Sequence, residues 1–289
     1  MIRFIATDLD GTLLTHDKKI SQFNQAAIHR AQEKGVIIAL ASGRGEASLR
    51  NYAEQLDMHR YGGYLICNNG QKIISLRDNG VIDNPCLNQD LVVRIFQFAK
   101  IHGLELIMEG DDGTSVFTPR HMTVMRFVYQ RFSRFLDSNG KYGLKSRLNL
   151  FGITQERSIN KITHAKEIST AYFKIGIAHS QQRLNKIIQL LNEEFNKELE
   201  VFRVNDTWID LVAAGVSKAL GVKQILDLHA IAVNESMAIG DSENDIDMLR
   251  FAGIGVAVAN AMPSVLAMAD EVTASNENDG VAAVILKHI

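Results

Sequence analysis

Few features of the 289-residue sequence mark a specialised class of protein. Its two cysteines, Cys67 and Cys86, are too few for a disulfide framework and indicate small core residues in a reducing compartment. The longest apolar runs, such as 36–41 and 254–259, are far shorter than the roughly 20 residues that cross a bilayer. Basic and acidic residues nearly cancel, 31 against 33, so the basic excess typical of nucleic-acid-binding proteins is missing. We therefore expect no membrane partner and no nucleic-acid partner.

The composition is otherwise that of an ordinary globular protein, with 46% hydrophobic and 22% charged residues. The first residues reach the acidic Asp8 without the hydrophobic segment of a signal peptide, which together with the cysteine content predicts a cytoplasmic protein. A single core stops growing near ~250–300 residues, so two domains are expected. The oligomeric state is left open.

Both ends of the chain alternate short apolar runs with helical patterns. The predicted strands are 2–7, 36–41, 63–67, 236–239 and 254–257. The predicted helices are 21–34, 46–56, 216–228 and 244–251. Strands and helices that alternate through short connections are typical of a doubly wound parallel sheet. We therefore predict an α/β fold whose core is formed by residues 1–83 and 213–289.

The pattern changes in the middle of the chain, after the boundary that Asn84-Pro85 marks. A hairpin is predicted over 104–117, and a basic amphipathic helix is predicted from Pro119, with its arginines on a solvated face. Trp208 is a candidate for stacking on a ligand ring, although an anchor in the core is the favoured interpretation. Residues 84–212 are predicted to form an inserted α+β domain.

Two acids follow the first predicted strand, in the segment Asp8-Leu9-Asp10-Gly11-Thr12. Carboxylates two residues apart can face the same side, and Gly11 lets the backbone turn away. The two charges repel each other, and a hard divalent cation such as Mg²⁺ relieves this. A calcium-binding EF-hand loop is excluded, because Leu13 and Lys19 stand where that loop needs glycine and glutamate.

Three further segments are ambiguous when taken singly. Asp241 and Asp245 follow a predicted strand, and they suit either a metal site or the capping of the next helix. Ser42-Gly43-Arg44 suits a phosphate oxygen or a plain turn. Lys218 stands near the start of a helix, where the dipole is already positive, so it indicates a nearby anion or a solvated surface lysine.

The positions of these residues favour the functional interpretation. Ligands of an open parallel sheet bind outside the carboxyl ends of its strands. Four candidates follow predicted strand ends, namely Asp8, Asp10, Ser42 and Asp241. Unrelated surface acids would not be expected to share that edge.

Together the motifs resemble the four signature motifs of haloacid-dehalogenase-like phosphatases. They are Asp8-Leu9-Asp10-Gly11-Thr12-Leu13, Ser42-Gly43-Arg44, Lys218 and Gly240-Asp241-Ser242-Glu243-Asn244-Asp245. The similarity extends to the Cof-type (class IIB) subfamily, whose cap is inserted after the second motif and whose tail signature is similar to residues 258–261 and 278–281. The resemblance implies a Rossmann-like core with a cap domain that sets substrate specificity.

The resemblance also implies a role for each acid. Asp8 would be the nucleophile that becomes an aspartyl phosphate, and it would bind Mg²⁺. Asp10 would be the general acid and then the base, with its backbone carbonyl on the metal. Asp241 and Ser242 would complete the metal site, with Asp245 behind them.

Phosphate oxygens would be held by the amide of Leu9 and by Ser42, Gly43, Lys218 and Asn244. The expected activity is therefore Mg²⁺-dependent hydrolysis of phosphate monoesters of small metabolites, such as sugar phosphates, nucleotides or phosphorylated cofactors. Two alternatives remain open. One is a phosphotransferase or phosphomutase on the same site, and the other is a non-catalytic protein that binds a phosphorylated ligand.

Overall fold

The computed structural model describes residues 1–120, 122 and 159–289. Contacts divide the chain into two compact units. The first unit contains Met1–Pro85, Phe195–Asn205 and Val212–Ile289, and the second contains Cys86–Glu194 and Asp206–Leu211. Among the described helices, none combines the length and the apolar character that a membrane span requires.

Strands and helices alternate through both ends of the chain, as the sequence predicts. The strands are β1 (Phe4–Thr7), β2 (Ile37–Ala41), β3 (Tyr64–Cys67), β4 (Lys72–Ser75), β5 (Val81–Asp83), β6 (Leu106–Gly110), β7 (Gly113–Phe117), β8 (Ile159–Lys161), β9 (Lys174–Ala178), β10 (Leu199–Asn205), β11 (Trp208–Ala213), β12 (Ser236–Gly240), β13 (Ile254–Val258) and β14 (Glu271–Thr273). The helices are α1 (Gln22–Glu33), α2 (Glu46–Gln55), α3 (Met58–Tyr61), α4 (Gln89–His102), α5 (Gln181–Glu194), α6 (Lys218–Leu228), α7 (Ile246–Phe251), α8 (Pro263–Leu266) and α9 (Gly280–His288).

The main sheet has the strand order β14-β13-β12-β1-β2-β3-β4-β5. Its strands run parallel from β14 to β3, and β4 and β5 add an antiparallel edge. The α/β class with a parallel sheet is therefore confirmed. The short strands β4, β5 and β14 were not predicted.

The central strand β1 is buried on both faces, which explains its continuous apolar sequence. It pairs with β12 on one side and with β2 on the other, so the loops that follow these three strands leave the sheet side by side. This placement, set by the sheet, brings distant parts of the chain to one edge.

Two helices at this edge begin later than predicted, for local reasons. Helix α6 begins at Lys218 because the Ser217 hydroxyl accepts a hydrogen bond from the Leu220 amide and caps the first turn. The segment predicted as a helix from residue 244 begins as a 3-10 turn, Glu243–Asp245, and becomes α-helical only at Ile246.

The second sheet has the order β10-β11-β9-β6-β7-β8 and contains the predicted hairpin, formed by β6 and β7. Its strands are mainly antiparallel, and its chain segment also contributes α4 and α5. The half-buried indole of Trp208 donates a hydrogen bond to Asp210 Oδ1 at 2.8 Å. The predicted basic helix beyond residue 122 lies outside the described residues, and the limits of 84–212 for the inserted domain stay a prediction.

Candidate active site

The acidic segments converge at the carboxyl end of β1. Asp8 follows β1 directly, and its amide donates a hydrogen bond to the Ile239 carbonyl of β12 at 2.9 Å. Asp241 follows β12, and Ser42 follows β2 on the other side. The sheet therefore brings together segments that lie more than 200 residues apart in the sequence, as the strand-end argument predicted.

Four charged side chains, Asp8, Lys218, Asp241 and Asp245, form what we call the buried cluster. Lys218 is only 1% exposed, and its Nζ lies 2.6 Å from Asp8 Oδ1 and 2.7 Å from Asp245 Oδ1. One carboxylate oxygen from each of the three acids lies within 4.8 Å of the other two. The sequence left open whether Lys218 contacts an anion or lies on the surface. In the structure it is buried and pairs with two carboxylates.

Like charges dominate the buried cluster. Burial raises the pKa of Asp8 well above its usual range, and Asp245 and Asp241 add to this while Lys218 opposes it. Burial, reinforced by Asp245, also raises the pKa of Asp241 to about 7. Burial alone would lower the pKa of Lys218, but the carboxylates of Asp245 and Asp8 outweigh it and raise that pKa. Burial and the neighbouring acids therefore disfavour full ionisation of the three carboxyl groups, which share a single ammonium.

Asp245 organises the loop behind the other acids. Its Oδ2 accepts hydrogen bonds from the backbone amides of Asp241 at 3.0 Å and Ser242 at 3.1 Å, while its Oδ1 binds Lys218. These bonds explain the 3-10 turn, since the side chain folds back on the chain instead of extending a helix. Its carboxylate is engaged with protein donors, which suits the position behind the metal ligands that the resemblance implied.

Gly11 and Thr12 pack against the carboxylate of Asp241. Gly11 has a φ of +83°, and a Cβ atom built there would lie 2.5 Å from Asp241 Oδ2, so the position requires glycine. The Thr12 hydroxyl donates a hydrogen bond to Asp241 Oδ1 at 2.9 Å. Both residues stand in the first motif, but sequence reasoning gave Thr12 no role.

Asp10 faces a different environment, which we call the rim cluster, formed by Asp10, Arg44 and Lys18. Arg44 binds the carboxylate through two nitrogens, Nε to Oδ2 and Nη2 to Oδ1, both at 2.6 Å. Lys18 Nζ lies 2.6 Å from Asp10 Oδ1. Burial would raise the pKa of Asp10, but hydrogen bonds and charge from Arg44 and Lys18 outweigh it and lower that pKa. The sequence offered no signal for this pairing beyond the presence of Arg44 in the second motif.

The predicted phosphate-binding residues lie at the same edge of the sheet, and among them Lys218 bonds to two of the site acids, Asp8 and Asp245. Ser42 is buried, and its Oγ accepts a hydrogen bond from the Arg44 amide at 3.2 Å, with Gly43 between them. The carbonyl of Leu9 accepts bonds from the next turn of chain. The side chain of the buried Asn244 donates a hydrogen bond from Nδ2 to Asn69 Oδ1 at 3.0 Å.

Two asparagines of the tail support the loop that follows Asp10. Asn260 Nδ2 donates to the Gly11 carbonyl at 2.7 Å, and Asn276 Nδ2 donates to the Leu14 carbonyl at 2.9 Å. The two are themselves linked, since the Asn276 amide donates to Asn260 Oδ1 at 2.9 Å. The sequence marked Asn260 within the tail signature but gave neither asparagine a role.

The donor set fits Mg²⁺. Asp8 and Asp241 offer carboxylate oxygens close together, which are the hard ligands this ion prefers. Burial, reinforced by the neighbouring acids, raises the pKa of both groups and so disfavours their charged forms, which a bound divalent cation would favour. A buried group of carboxylates with too little positive charge is therefore suited to a divalent cation.

Comparison with known proteins agrees with this geometry. Residues 5–285 match the sequence profile of a family described as haloacid dehalogenase-like hydrolase. The 5-amino-6-(5-phospho-D-ribitylamino)uracil phosphatase YcsE of Bacillus subtilis (strain 168) is 28% identical over 98% of this chain and 94% of its own. A haloacid dehalogenase-like hydrolase from Bacteroides thetaiotaomicron is 26% identical, with a TM-score of 0.76 over 100% of both chains. The HAD subclass IIB sugar phosphatase BT4131 shares the fold, with a TM-score of 0.77 at 23% identity over 99% of this chain and 98% of its own.

Proposed function

Since this chain belongs to the haloacid dehalogenase-like hydrolase family and is a phosphatase, we propose that it hydrolyses phosphate monoesters through an aspartyl phosphate on Asp8. The observation that carries the proposal is the contact of Asp8 with the fully buried Lys218, inside a group of three carboxylates. A carboxylate beside a cation and other acids can meet a phosphate group only when the surplus negative charge is offset.

Asp8 is the nucleophile. One carboxylate oxygen attacks phosphorus, the bond from phosphorus to the ester oxygen breaks, and the phosphoryl group is transferred to Asp8. Asp10 gives a proton to the departing oxygen and then takes one from the water that hydrolyses the aspartyl phosphate. A carboxylate nucleophile thus divides the hydrolysis into two displacements, and proton transfer by Asp10 contributes about 10²–10⁴-fold.

The remaining groups neutralise and orient the phosphate. Lys218 stands beside Asp8, where it stabilises negative charge on the transferred oxygens. Ser42, Gly43, Asn244 and the amide of Leu9 hold the other oxygens. Phosphoryl transfer depends mainly on such positioning and charge stabilisation.

Asp8, the carbonyl of Asp10, Asp241 and Ser242 would hold Mg²⁺, with Asp245 behind them. When bound, Mg²⁺ supplies positive charge that lets an anionic substrate approach the acids. Asp245 holds Lys218 and the Asp241 loop in place through its own hydrogen bonds.

The substrate class is a small phosphorylated metabolite. The ribitylaminouracil phosphatase among the relatives acts on a molecule of that kind, which supports this range for the present chain. Residues 84–212 are the proposed cap domain, which would set specificity. Water is the proposed acceptor of the phosphoryl group, so free phosphate is the expected product.

The test is release of inorganic phosphate from a panel of sugar phosphates, nucleotides and phosphorylated cofactors. We expect turnover with Mg²⁺, loss of turnover with a chelator, and loss of about 10⁴-fold or more in Asp8→Asn. Asp227→Asn is the matched control, because Asp227 is an exposed carboxylate on α6 that pairs with Lys223. Retained turnover in Asp8→Asn would exclude the nucleophile, and transfer to an added alcohol without phosphate release would favour a phosphotransferase.

A further inference from the structure

A three-residue turn after β3, Asn68-Asn69-Gly70, contacts several parts of the proposed phosphate site. All three residues have positive φ values, 50°, 57° and 97°, and all are buried. Two consecutive non-glycine residues in the left-handed region are costly, and asparagine tolerates it better than most. Sequence reasoning identified these residues only as a turn, and the proposed function gives them no part.

The turn is attached to the segment that holds the proposed phosphate ligand Ser42. The Asn69 amide donates a hydrogen bond to the Ser42 carbonyl at 3.0 Å. The Asn68 amide donates to the Arg44 carbonyl, also at 3.0 Å. Two neighbouring backbone bonds therefore fix the turn against the second motif.

The side chain of Asn69 reaches the fourth motif. Asn69 Oδ1 accepts a hydrogen bond from Asn244 Nδ2 at 3.0 Å, and both side chains are buried, at 0% and 4% exposure. A buried amide that lost this acceptor would be left unsatisfied or would turn to another partner. The Ser242 hydroxyl donates to the other end of the same carboxamide, Asn244 Oδ1, at 2.5 Å, so Asn69 provides one of two bonds that orient Asn244.

Gly70 packs against the start of α6, where Lys218 stands. A Cβ atom built on Gly70 would lie 2.0 Å from the Ser217 carbonyl oxygen and 3.3 Å from the Lys218 amide nitrogen. The turn can approach the helix this closely only because the residue has no side chain. It thus touches the segments that carry three proposed phosphate ligands, Ser42, Asn244 and Lys218.

We propose that this turn aligns the proposed phosphate-binding groups, and that Asn69 is a positioning residue that acts through Asn244. The inference rests on the proposed function, because Asn244 is assigned to phosphate there. Because Asn69 acts through Asn244, we expect its effect to fall mainly on phosphate affinity.

The test uses Asn69→Gly, which tolerates the positive φ and removes the side chain that bonds to Asn244. Asn79→Gly is the matched control, since Asn79 has a φ of 55° and lies in an exposed loop. With Mg²⁺ present, we expect the affinity for inorganic phosphate, measured by calorimetry, to fall about tenfold in Asn69→Gly. In the same variant KM should rise more than kcat falls, and Asn79→Gly should match the wild type.

A double-mutant cycle separates positioning from general structural damage. If Asn69 acts through Asn244, then Asn69→Gly/Asn244→Ala binds phosphate no more weakly than Asn244→Ala alone. Additive losses would overturn the inference. A crystal structure of Asn69→Gly decides the point without any ligand: a displaced Asn244 carboxamide supports the inference, and an unmoved one contradicts it. This last readout stays valid even if the wild type proves to have no phosphatase activity.

Discussion

The buried cluster contains Asp8 and the rim cluster contains Asp10, only two residues further along the chain, yet the two clusters shift the pKa of their carboxyl group in opposite directions. Asp8 lies among other acids with one buried lysine, and burial raises its pKa. Asp10 lies between an arginine and a lysine at the edge of the site, and these cations lower its pKa against the effect of burial. In the metal-free site these shifts oppose the proposed roles, because a nucleophile must be ionised and a general acid must carry a proton. Mg²⁺ bound by Asp8 and a substrate phosphate beside Asp10 would therefore have to reverse them.

The difference has a structural origin. Asp8 follows the end of β1, Asp241 follows the end of β12, and Lys218 is the first residue of α6. The fold therefore fixes their positions. The rim cluster depends on the long side chains of Arg44 and Lys18, which reach Asp10 from loops. Damage to the buried cluster should therefore cost much stability as well as activity, while damage to the rim cluster should cost mainly activity and little stability.

The largest expected effect is that of Lys218→Met. This change leaves Asp8 and Asp245 buried without their cation, which should cost about 3–5 kcal/mol in the free energy of unfolding and abolish turnover. Denaturant unfolding measures the first quantity. Lys223→Met, on the same helix but in an exposed ion pair with Asp227, is the matched control and should unfold like the wild type. Equal stability of the two variants would remove the contrast between the clusters.

Asp10→Asn should lower kcat by about 10²–10⁴-fold while leaving the unfolding midpoint close to that of the wild type. The amide keeps the shape of the side chain but cannot transfer the proton. Steady-state kinetics and thermal unfolding on the same preparation provide the two numbers. A variant that is fully active would show that Asp10 is only a partner for the rim cations.

Arg44→Met should have a smaller effect, about 10- to 100-fold in kcat/KM, because Asp10 stays present but loses its orientation. Since Arg44 lowers the pKa of Asp10, its removal should raise that pKa and move the pH–rate profile to higher pH. Arg50→Met, which breaks the pair with Glu46 on α2, serves as the control. An unchanged pH profile in Arg44→Met would contradict the pairing.

The smallest expected effect is a pH dependence of the stabilisation that Mg²⁺ gives. Without Mg²⁺, the raised folded-state pKa of Asp241, about 7, gives stability that is present at low pH and lost as the pH rises through that value. Asp10 has the opposite sign, because its lowered pKa gives stability that is lost only in acid. The rise in melting temperature on adding Mg²⁺ should therefore be larger at pH 8 than at pH 6. The same rise at both pH values would speak against metal binding by the buried cluster.

The sequence predicted the buried cluster better than the rim cluster, for a physical reason. Parallel strands end at a common edge, so residues that follow them, such as Asp8 and Asp241, could be expected to meet. The burial of Lys218 was not settled by its sequence position, because the helix dipole allowed either an anion contact or a surface site.

The rim cluster and the turn at Asn69 could not be predicted in the same way. Which cation reaches Asp10 depends on the rotamers of Arg44 and Lys18 in loops, and no periodicity encodes them. The bond between Asn69 and Asn244 joins residues 175 apart in the sequence through side chains alone. Such contacts are decided by tertiary packing, after the strands and helices are in place.

The central claim is that phosphorus becomes bonded to the carboxylate of Asp8. The most direct measurement is acid quenching of the protein during turnover with Mg²⁺ and a reactive phosphate monoester, followed by digestion and mass spectrometry. We expect one phosphoryl group on the peptide that contains Asp8, located at Asp8 and absent in Asp8→Asn. Steady hydrolysis with no phosphoryl group on that peptide, or with the group on another residue, would contradict the claim.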